Sequence, residues 1–177
     1  MAIQIGAKPD SGFDDPIGML TDCHRRIEHF LEILCVVVDR GRGRDMNGEE
    51  VAAVQASLQY FRAGGQRHNA DEEQSLFPRL RAACGSEDAH AISGLENDHE
   101  HAGALHASVE ELYTSWIRSG LLSEDQREKL SSMTKQLKEL YQRHIQLEEQ
   151  VVFPHAAKVL DAESIAAMGQ EFRARRE

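Results

Sequence analysis

Two stretches of this 177-residue chain carry the same residue types at the same spacing, and both contain side chains that bind metals. When residues 68–78 and 144–154 are aligned, a His, two adjacent Glu, a Gln, a Phe and a Pro coincide. Each His is followed four residues later by a Glu, which on an α-helix places imidazole and carboxylate one turn apart on one face. Such a pair can hold one metal ion or bridge two. The pairs are His68 with Glu72 and His144 with Glu148.

A further His in each half of the chain extends this repeat. His24 precedes His68 by 44 residues, and His99 precedes His144 by 45. A pair of helices therefore recurs along the chain. If the two pairs pack about a pseudo-twofold axis, four imidazoles and two carboxylates meet in one core. That is the ligand set of a two-metal site inside a helix bundle.

The mixture of nitrogen and oxygen donors indicates which metal such a site would hold. Two metal ions about 3.5 Å apart repel strongly unless anionic ligands lie between them, and the two Glu are placed to be those bridging carboxylates. His24 and His68 would bind one ion, and His99 and His144 would bind the other. The donor set suits iron, with manganese or zinc as alternatives. So few protein ligands for each ion leave positions open for a small molecule.

The elements that must position these residues are predicted to be helices. The hydrophobic share of 41% and the charged share of 28% are those of an ordinary globular protein, and no strand pattern of any length competes. Asp15-Pro16 predicts a helix start, and capping boxes are predicted at Asn47 with Glu50 and at Ser123 with Gln126. Four long helices with short connections predict an all-α fold, an antiparallel up-and-down four-helix bundle.

The chain is expected to divide into three segments. Residues 1–14 read as an N-terminal tail, residues 15–160 as the bundle, and residues 161–177 as a short C-terminal capping helix. Inside the bundle, Gly64-Gly65 predicts a bend or close helix packing. Pro78 should loosen or end its helix.

Two further details concern the third helix and the C-terminus. A turn is predicted at residues 84–86, followed by a helix from about Glu87 to Ser119 with a candidate interruption at Gly94. The cluster of arginines near the C-terminus reads as a solvated helix end favoured by the helix dipole. Its members are Arg173, Arg175 and Arg176.

Charge and cysteine usage exclude several classes of protein. The formal net charge of −10 argues against binding to nucleic acid or to anionic membranes, because both need a basic surface. The three Cys are widely spaced without a C-x-x-C pair, which is typical of free thiols in a reducing compartment. No signal peptide is evident, and the longest apolar run is too short to span a bilayer. We therefore expect a cytoplasmic protein.

Two other residues are candidates to line the site. His106 lies seven residues after His99 and so on the same helical face. Tyr141 lies one turn before His144, where its hydroxyl could donate a hydrogen bond toward a bound molecule, although core packing is the ordinary reading of such a Tyr.

The order of these residues resembles that of a known family, the hemerythrin-like domain, also called the HHE cation-binding domain. The resemblance rests on His, then His-x-x-x-Glu, then His, then His-x-x-x-Glu, with both Glu-Glu-x-x-x-Phe-Pro endings, and it covers residues 15–154. It implies an up-and-down four-helix bundle holding a non-haem di-iron centre with an oxo or hydroxo bridge. Members bind oxygen, sense oxygen or iron, handle nitric oxide or peroxide, or help repair iron centres. Carried over residue by residue, the metal ligands are His24, His68, Glu72, His99, His144 and Glu148.

The chain departs from the oxygen-carrying hemerythrins at two positions. They have a second His on the third helix, where this chain has Gly103, and an Asp five residues after the last His, where this chain has Glu148 at four. The replacement ligand could be His106, Glu28, which lies four residues after His24, or water. A more open centre argues against simple oxygen transport and leaves sensing, storage or redox chemistry.

Three functions are compatible with this sequence. The first is a di-iron protein that binds or senses oxygen or nitric oxide, or handles iron. The second is a di-iron enzyme that acts on peroxide or nitric oxide, or repairs iron centres, and the third is a purely structural bundle. A complete ligand set without any other catalytic constellation favours a binding protein over a dedicated enzyme. If it is a sensor, its protein partner is expected to be a separate chain.

Overall fold

In the part of the chain that the structure describes, all regular structure is helical. A computed structural model describes residues 10–42, 44–83 and 86–177. The prediction of an all-α fold is confirmed for these residues. None of their helices combines the length and the apolar character needed to cross a membrane. The helices are α1 (Pro16–Gly41), α2 (Gly48–Tyr60), α3 (Gln66–Asp71), α4 (Phe77–Ala83), α5 (Ser86–Ser119), α6 (Glu124–Leu147), α7 (Phe153–Val159) and α8 (Ala162–Ala174).

Three π-helical turns join some of these helices without ending them. They are Phe61–Gly65 between α2 and α3, Glu72–Leu76 between α3 and α4, and Glu148–Val152 between α6 and α7. Residues 48–83 and 124–159 are therefore each one continuous helical stretch. Together with α1 and α5 they make four long stretches, and these carry all six predicted ligands.

The predicted helix starts are confirmed by their hydrogen bonds. Asp15 immediately precedes Pro16, the first residue of α1, and its side chain accepts a hydrogen bond from the Gly18 N–H at 2.9 Å. Both capping boxes are formed, each with two reciprocal hydrogen bonds between a side chain and the backbone. At the other end of α1, Arg42 adopts a left-handed conformation (φ 48°) that turns the chain out of the helix.

The helix interiors differ in part from the sequence prediction. The helix is loosened before Pro78 rather than ended, because the turn Glu72–Leu76 leaves this proline in the first turn of α4, where its missing N–H is not needed. The predicted interruption at Gly94 is wrong, since α5 passes it without a break. Of the other predicted features, tail residues 1–9 and turn residues 84–85 lie outside the described part of the chain.

Two hydrophobic clusters lie on opposite sides of the predicted ligands along every long stretch. The first cluster includes Ile27, Phe61, Ala102 and Leu140, and the second includes Leu20, Phe77, Leu95 and Phe153. On α1, His24 falls between Leu20 of the second cluster and Ile27 of the first. On α5, His99 falls between Leu95 of the second cluster and Ala102 of the first. The ligands therefore occupy a polar layer between two apolar regions, and the packing of those regions fixes where the helices approach one another.

Candidate metal centre

The structure brings the six predicted ligands together in this polar layer. They form two groups of four, in each of which the potential ligand atoms lie within 4.8 Å of one another. All six side chains are buried, and both groups contain the same two carboxylates. This is the division expected from the sequence, although the role of the residues as ligands stays a prediction. The groups are His24, His68, Glu72 and Glu148, and Glu72, His99, His144 and Glu148.

The Glu72 carboxylate faces one imidazole from each half of the chain. Its Oε1 lies 3.4 Å from Nε2 of His68, and its Oε2 lies 3.3 Å from Nε2 of His99. Glu72 is the first residue of a π-helical turn, and such turns are frequent at functional sites. A carboxylate with one oxygen directed to each group is arranged to bridge two cations.

Glu148 repeats this arrangement from the other half. Its Oε1 lies 3.3 Å from Nε2 of His144, and its Oε2 lies 3.1 Å from Nε2 of His24. It too begins a π-helical turn. The two bridging positions are therefore related by the same repeat that relates the two sequence motifs.

The second Glu of each motif holds an imidazole from the opposite half. Glu73 accepts a hydrogen bond from Nδ1 of His99 at 2.7 Å, and Glu149 accepts one from Nδ1 of His24 at 2.8 Å. Carboxylates that bind the far nitrogen of a ligating His fix its tautomer and ring orientation. Sequence reasoning missed these two roles, although the repeated Glu-Glu was the signal that could have shown them.

The Phe of each motif stacks on the same imidazoles. Phe153 lies parallel to His24 with ring centroids 5.4 Å apart, and Phe77 lies parallel to His99 at 6.3 Å. The proline that follows each Phe is accommodated by the π-helical turn before it. The full Glu-Glu-x-x-x-Phe-Pro pattern thus supplies a predicted bridging carboxylate, a carboxylate that binds an imidazole and a ring that packs on the same imidazole.

Unsatisfied polar atoms in the layer fit a metal centre. Buried oxygen and nitrogen atoms without a hydrogen bond are costly, by several kcal/mol where the group is charged. A cation in each group would give these carboxylate oxygens and the Nε2 atom a partner. The buried side-chain atoms without a hydrogen-bond partner are Nε2 of His24, Nδ1 of His68, and both carboxylate oxygens of Glu72 and Glu148.

The two carboxylates have opposite pKa shifts in the absence of a cation. Burial, and then the charge of Glu148, raises the pKa of Glu72 well above its ordinary value. Burial also acts to raise the pKa of Glu148, but the close approach of the His144 and His24 imidazoles outweighs it and holds that pKa below its ordinary value. One proton shared between facing carboxylates is what two like charges at close range require. A pair of divalent cations would remove that requirement.

Two of the imidazoles are held in the form that binds metals. Burial, followed by the proximity of His24, lowers the pKa of His68 well below its ordinary value. Burial, followed by the proximity of His144, also lowers the pKa of His99. A neutral imidazole offers a lone pair to a metal, whereas a protonated one does not.

Comparison with known proteins identifies the family. The family model described as the hemerythrin HHE cation-binding domain matches residues 15–156. This chain belongs to the hemerythrin HHE family. A relative in Haemophilus influenzae (strain ATCC 51907 / DSM 11121 / KW20 / Rd), described as an uncharacterized protein, is 28% identical over 169 residues. The match covers 93% of this chain and 92% of the relative. The family and the buried His and Glu groups together point to a metal centre.

In this hemerythrin-family chain, neither candidate replacement for the absent His at Gly103 joins the two groups. Glu28 is exposed at the surface of α1. His106 lies with its Nε2 3.1 Å from the Tyr141 hydroxyl and its ring 4.3 Å from that of Phe61. Burial lowers the pKa of His106 to about 4, so this side chain is neutral at physiological pH.

A pocket takes the place of the absent ligand. It has a volume of about 220 Å³, and Gly103, His106 and Tyr141 are among the residues that line it. A Cβ atom added at Gly103 would meet nothing within 4 Å, so no side chain fills this space. The Tyr141 ring packs edge-on to the His144 ring with centroids 6.4 Å apart. The pocket wall therefore contacts the second group through Tyr141, although none of the six predicted ligands lines the pocket itself.

The prediction of a solvated arginine cluster at the C-terminus is wrong for two of its members. Arg175 and Arg176 bind the fully buried carboxylate of Asp71, at 2.8 Å and 2.6 Å. Asp71 immediately precedes Glu72, so these arginines tie the end of α8 to the helix that carries a predicted bridging ligand. A buried carboxylate needs such partners, because its desolvation is otherwise severe.

Proposed function

We propose that this protein holds a non-haem di-iron centre that binds or senses a small diatomic molecule, oxygen or nitric oxide, or handles iron. The observation that carries this proposal is the pair of carboxylates shared between two His pairs. Each carboxylate directs one oxygen to each group, and none of these oxygens has a hydrogen bond. The six predicted ligands are His24, His68, Glu72, His99, His144 and Glu148.

We propose an antiparallel up-and-down bundle as the scaffold of this centre. Support comes from the order in which each stretch meets the two hydrophobic clusters. Along α1 and α5 the second cluster comes first, whereas along residues 48–83 and 124–159 the first cluster comes first. Such alternation is what an up-and-down arrangement requires. On this proposal, residues 15–160 form the bundle and residues 161–177 cap it through the hydrogen bonds to Asp71.

The choice of iron rests on the donor set. Neutral imidazole and carboxylate ligands, without a thiolate, suit iron, and manganese or zinc are the alternatives. Bound iron would supply the capacity to bind and reduce a diatomic molecule. The two described cysteines, Cys23 and Cys35, are free thiols, which supports a reducing, cytoplasmic location.

This chain's own residues would admit and position the diatomic ligand. The pocket at Gly103 gives a molecule of that size a site beside Tyr141, whose ring packs against a predicted ligand of the second group. Burial, followed by the charges of nearby Glu72 and Glu148, raises the pKa of Tyr141, so its hydroxyl keeps its proton and can donate a hydrogen bond. His106, which is neutral, lies 3.1 Å from that hydroxyl and restricts its orientation.

The test is to load the purified protein with ferrous iron without oxygen and then admit air or nitric oxide. We expect two iron ions per chain and a new charge-transfer band that depends on the gas. His144→Ala should lose both, because it removes a ligand of the second group. His101→Ala is the matched control, since His101 is exposed on α5, and it should retain both. A fully loaded protein whose spectrum does not change with either gas would contradict the proposal.

The open pocket also favours a second candidate, a di-iron enzyme that acts on peroxide or nitric oxide or repairs iron centres. Such an enzyme needs room for a substrate beside the centre, and the Gly103 pocket provides it. Steady-state consumption of peroxide or nitric oxide above that of an equal amount of free iron would favour the enzyme. Stoichiometric binding without turnover would favour the binding protein.

A further inference from the structure

A second pocket, separate from the one at Gly103, collects positive charge on the surface of this acidic protein. It has a volume of about 620 Å³ and is formed by α1, by residues around the first π-helical turn and by the segment after α8. Three guanidinium groups line it, although the whole chain carries a formal charge of −10. They belong to Arg26, Arg67 and Arg176.

We propose that this pocket binds a small molecule bearing carboxylate or phosphate groups, with Arg67 as its principal partner. Guanidinium groups match both kinds of oxyanion through paired N–H donors. The pocket is of the size that small organic ligands occupy. The site goes beyond the proposed di-iron function and does not depend on it.

The three arginines differ in whether a protein carboxylate already neutralises them. Arg26 binds Asp10 at 2.6 Å, and Arg176 binds Asp71 at 2.6 Å. Among the described residues, Arg67 has neither a carboxylate partner nor a hydrogen bond to a side chain. An anion would therefore find one free guanidinium and two that are held in place by their own partners. Such held groups lose little freedom when a ligand arrives.

Contacts between lining residues hold the wall of this pocket in place. The Tyr60 hydroxyl donates to the Cys23 carbonyl at 3.3 Å, and burial raises the pKa of Tyr60 to about 12. Arg26 Nη2 lies 3.4 Å from the Cys23 sulfur. A Cβ at Gly64 would lie 2.7 Å from the Tyr60 ring, so glycine is needed there for the ring to lie against the pocket wall. Among the described residues that line the pocket there is no Asp or Glu, and the nearby carboxylates of Asp10 and Asp71 are each bound to a lining arginine.

Titration calorimetry of the metal-loaded protein with inorganic phosphate and, separately, with succinate tests the proposal. We expect saturable binding of at least one of them at one site per chain, weakening as sodium chloride is raised. Arg67→Ala should weaken it by about tenfold or more. Arg118→Ala is the matched control, because it removes the same charge from an exposed position on α5, and it should leave the affinity unchanged.

A chemical readout locates the bound anion. Cys23 lines the pocket, whereas the sulfur of Cys35 lies near the Thr134 carbonyl on α6. Bound phosphate or succinate should slow alkylation of Cys23 by iodoacetamide and leave Cys35 unaffected, as measured by mass spectrometry. Binding only of phosphate assigns a phosphate ligand, and binding only of succinate assigns a carboxylate ligand. Absence of binding, equal binding by Arg67→Ala, or binding that disappears on metal removal would overturn the proposal.

Discussion

The two halves of the candidate metal centre share the contacts between His and Glu and differ in the residues that surround them. On one side, Nδ1 of His144 lies 3.4 Å from the carboxylate of Asp98. On the other, Nδ1 of His68 is buried without a partner, because the position that corresponds to Asp98 is Cys23. The repeated contacts build the ligand set, so the unrepeated ones must account for any difference between the two groups.

A second difference lies immediately before the two predicted bridging carboxylates. Glu72 follows Asp71, whose buried charge is neutralised by Arg175 and Arg176. Glu148 follows Leu147, whose apolar side chain cannot form an ion pair with an arginine. These ion pairs therefore join the C-terminal segment to the first half. The neighbouring pockets differ in the same way. The Gly103 pocket includes Tyr141, whose ring packs against His144, whereas the arginine-lined pocket includes Cys23 and Arg67, the chain neighbours of His24 and His68.

The largest effect is expected from neutralising one of the two carboxylates that both ligand groups share. Glu72→Gln should reduce metal content from two ions per chain to one or none, because the lost charge serves both groups. Metal analysis after anaerobic loading and desalting measures this. Glu139→Gln, at an exposed position on α6, is the control and should load fully. Full loading of Glu72→Gln would show that the two groups do not depend on a common carboxylate.

The next largest effect is expected at the ion pairs of Asp71, which have no counterpart in the second half. Asp71→Asn leaves Arg175 and Arg176 without their buried anion and should lower the free energy of unfolding by about 2–3 kcal/mol, since both arginines are partly exposed. Urea unfolding of the metal-free protein measures it. Asp39→Asn removes an exposed partner of Lys135 and should change stability by less than about 0.5 kcal/mol. Equal small changes in both variants would show that α8 is not held by Asp71.

A smaller effect on metal binding is expected at the hydrogen bonds from the second Glu of each motif, which are the same in both halves. Glu73→Gln and Glu149→Gln should each weaken metal binding by roughly 10–100-fold, because each carboxylate orients one imidazole. Competition with a chelator gives both affinities. Asp98→Asn should weaken binding less, since its contact with His144 is longer at 3.4 Å. A large loss in only one of the first two variants would break the equivalence of the halves.

The smallest effect concerns His106 and depends on pH. Its pKa falls to about 4 in the folded protein, so between pH 6.5 and pH 4 the unfolded chain binds a proton that the folded chain does not. Stability should therefore fall as pH decreases through that window, by about 1–2 kcal/mol from this residue, which is partly exposed. His106→Gln should remove that part of the decrease. Urea unfolding of both metal-free proteins at pH 7 and pH 4.5 measures this decrease. An equal loss of stability in the two proteins would show that His106 does not cause it.

Local signals made much of the fold predictable. Asp15, Asn47 and Ser123 cap helices through hydrogen bonds to residues three positions away, which sequence displays directly. The ligand pairs at i and i+4 are local in the same sense. At Pro78 the sequence left open whether the helix loosens or ends. Deciding between the two requires the knowledge that a π-helical turn can place a proline in the first turn of the following helix.

The contacts that sequence did not predict join residues far apart in the chain. Arg175 binds Asp71 across 104 positions, and no local pattern distinguishes it from a solvated arginine. Glu73 was visible as part of a repeat, but its partner His99 is set by how α5 packs against the preceding stretch. The pocket at Gly103 likewise depends on where Tyr141 and His106 meet.

X-ray absorption at the iron edge of the loaded protein tests the central claim, that two metal ions share the carboxylates of Glu72 and Glu148. We predict two irons per chain and an iron neighbour at about 3.5 Å from each absorbing iron. Glu139→Gln should give the same spectrum, and Glu72→Gln should lose the iron neighbour. An iron environment of nitrogen and oxygen ligands without a second iron, at full loading, would contradict the account.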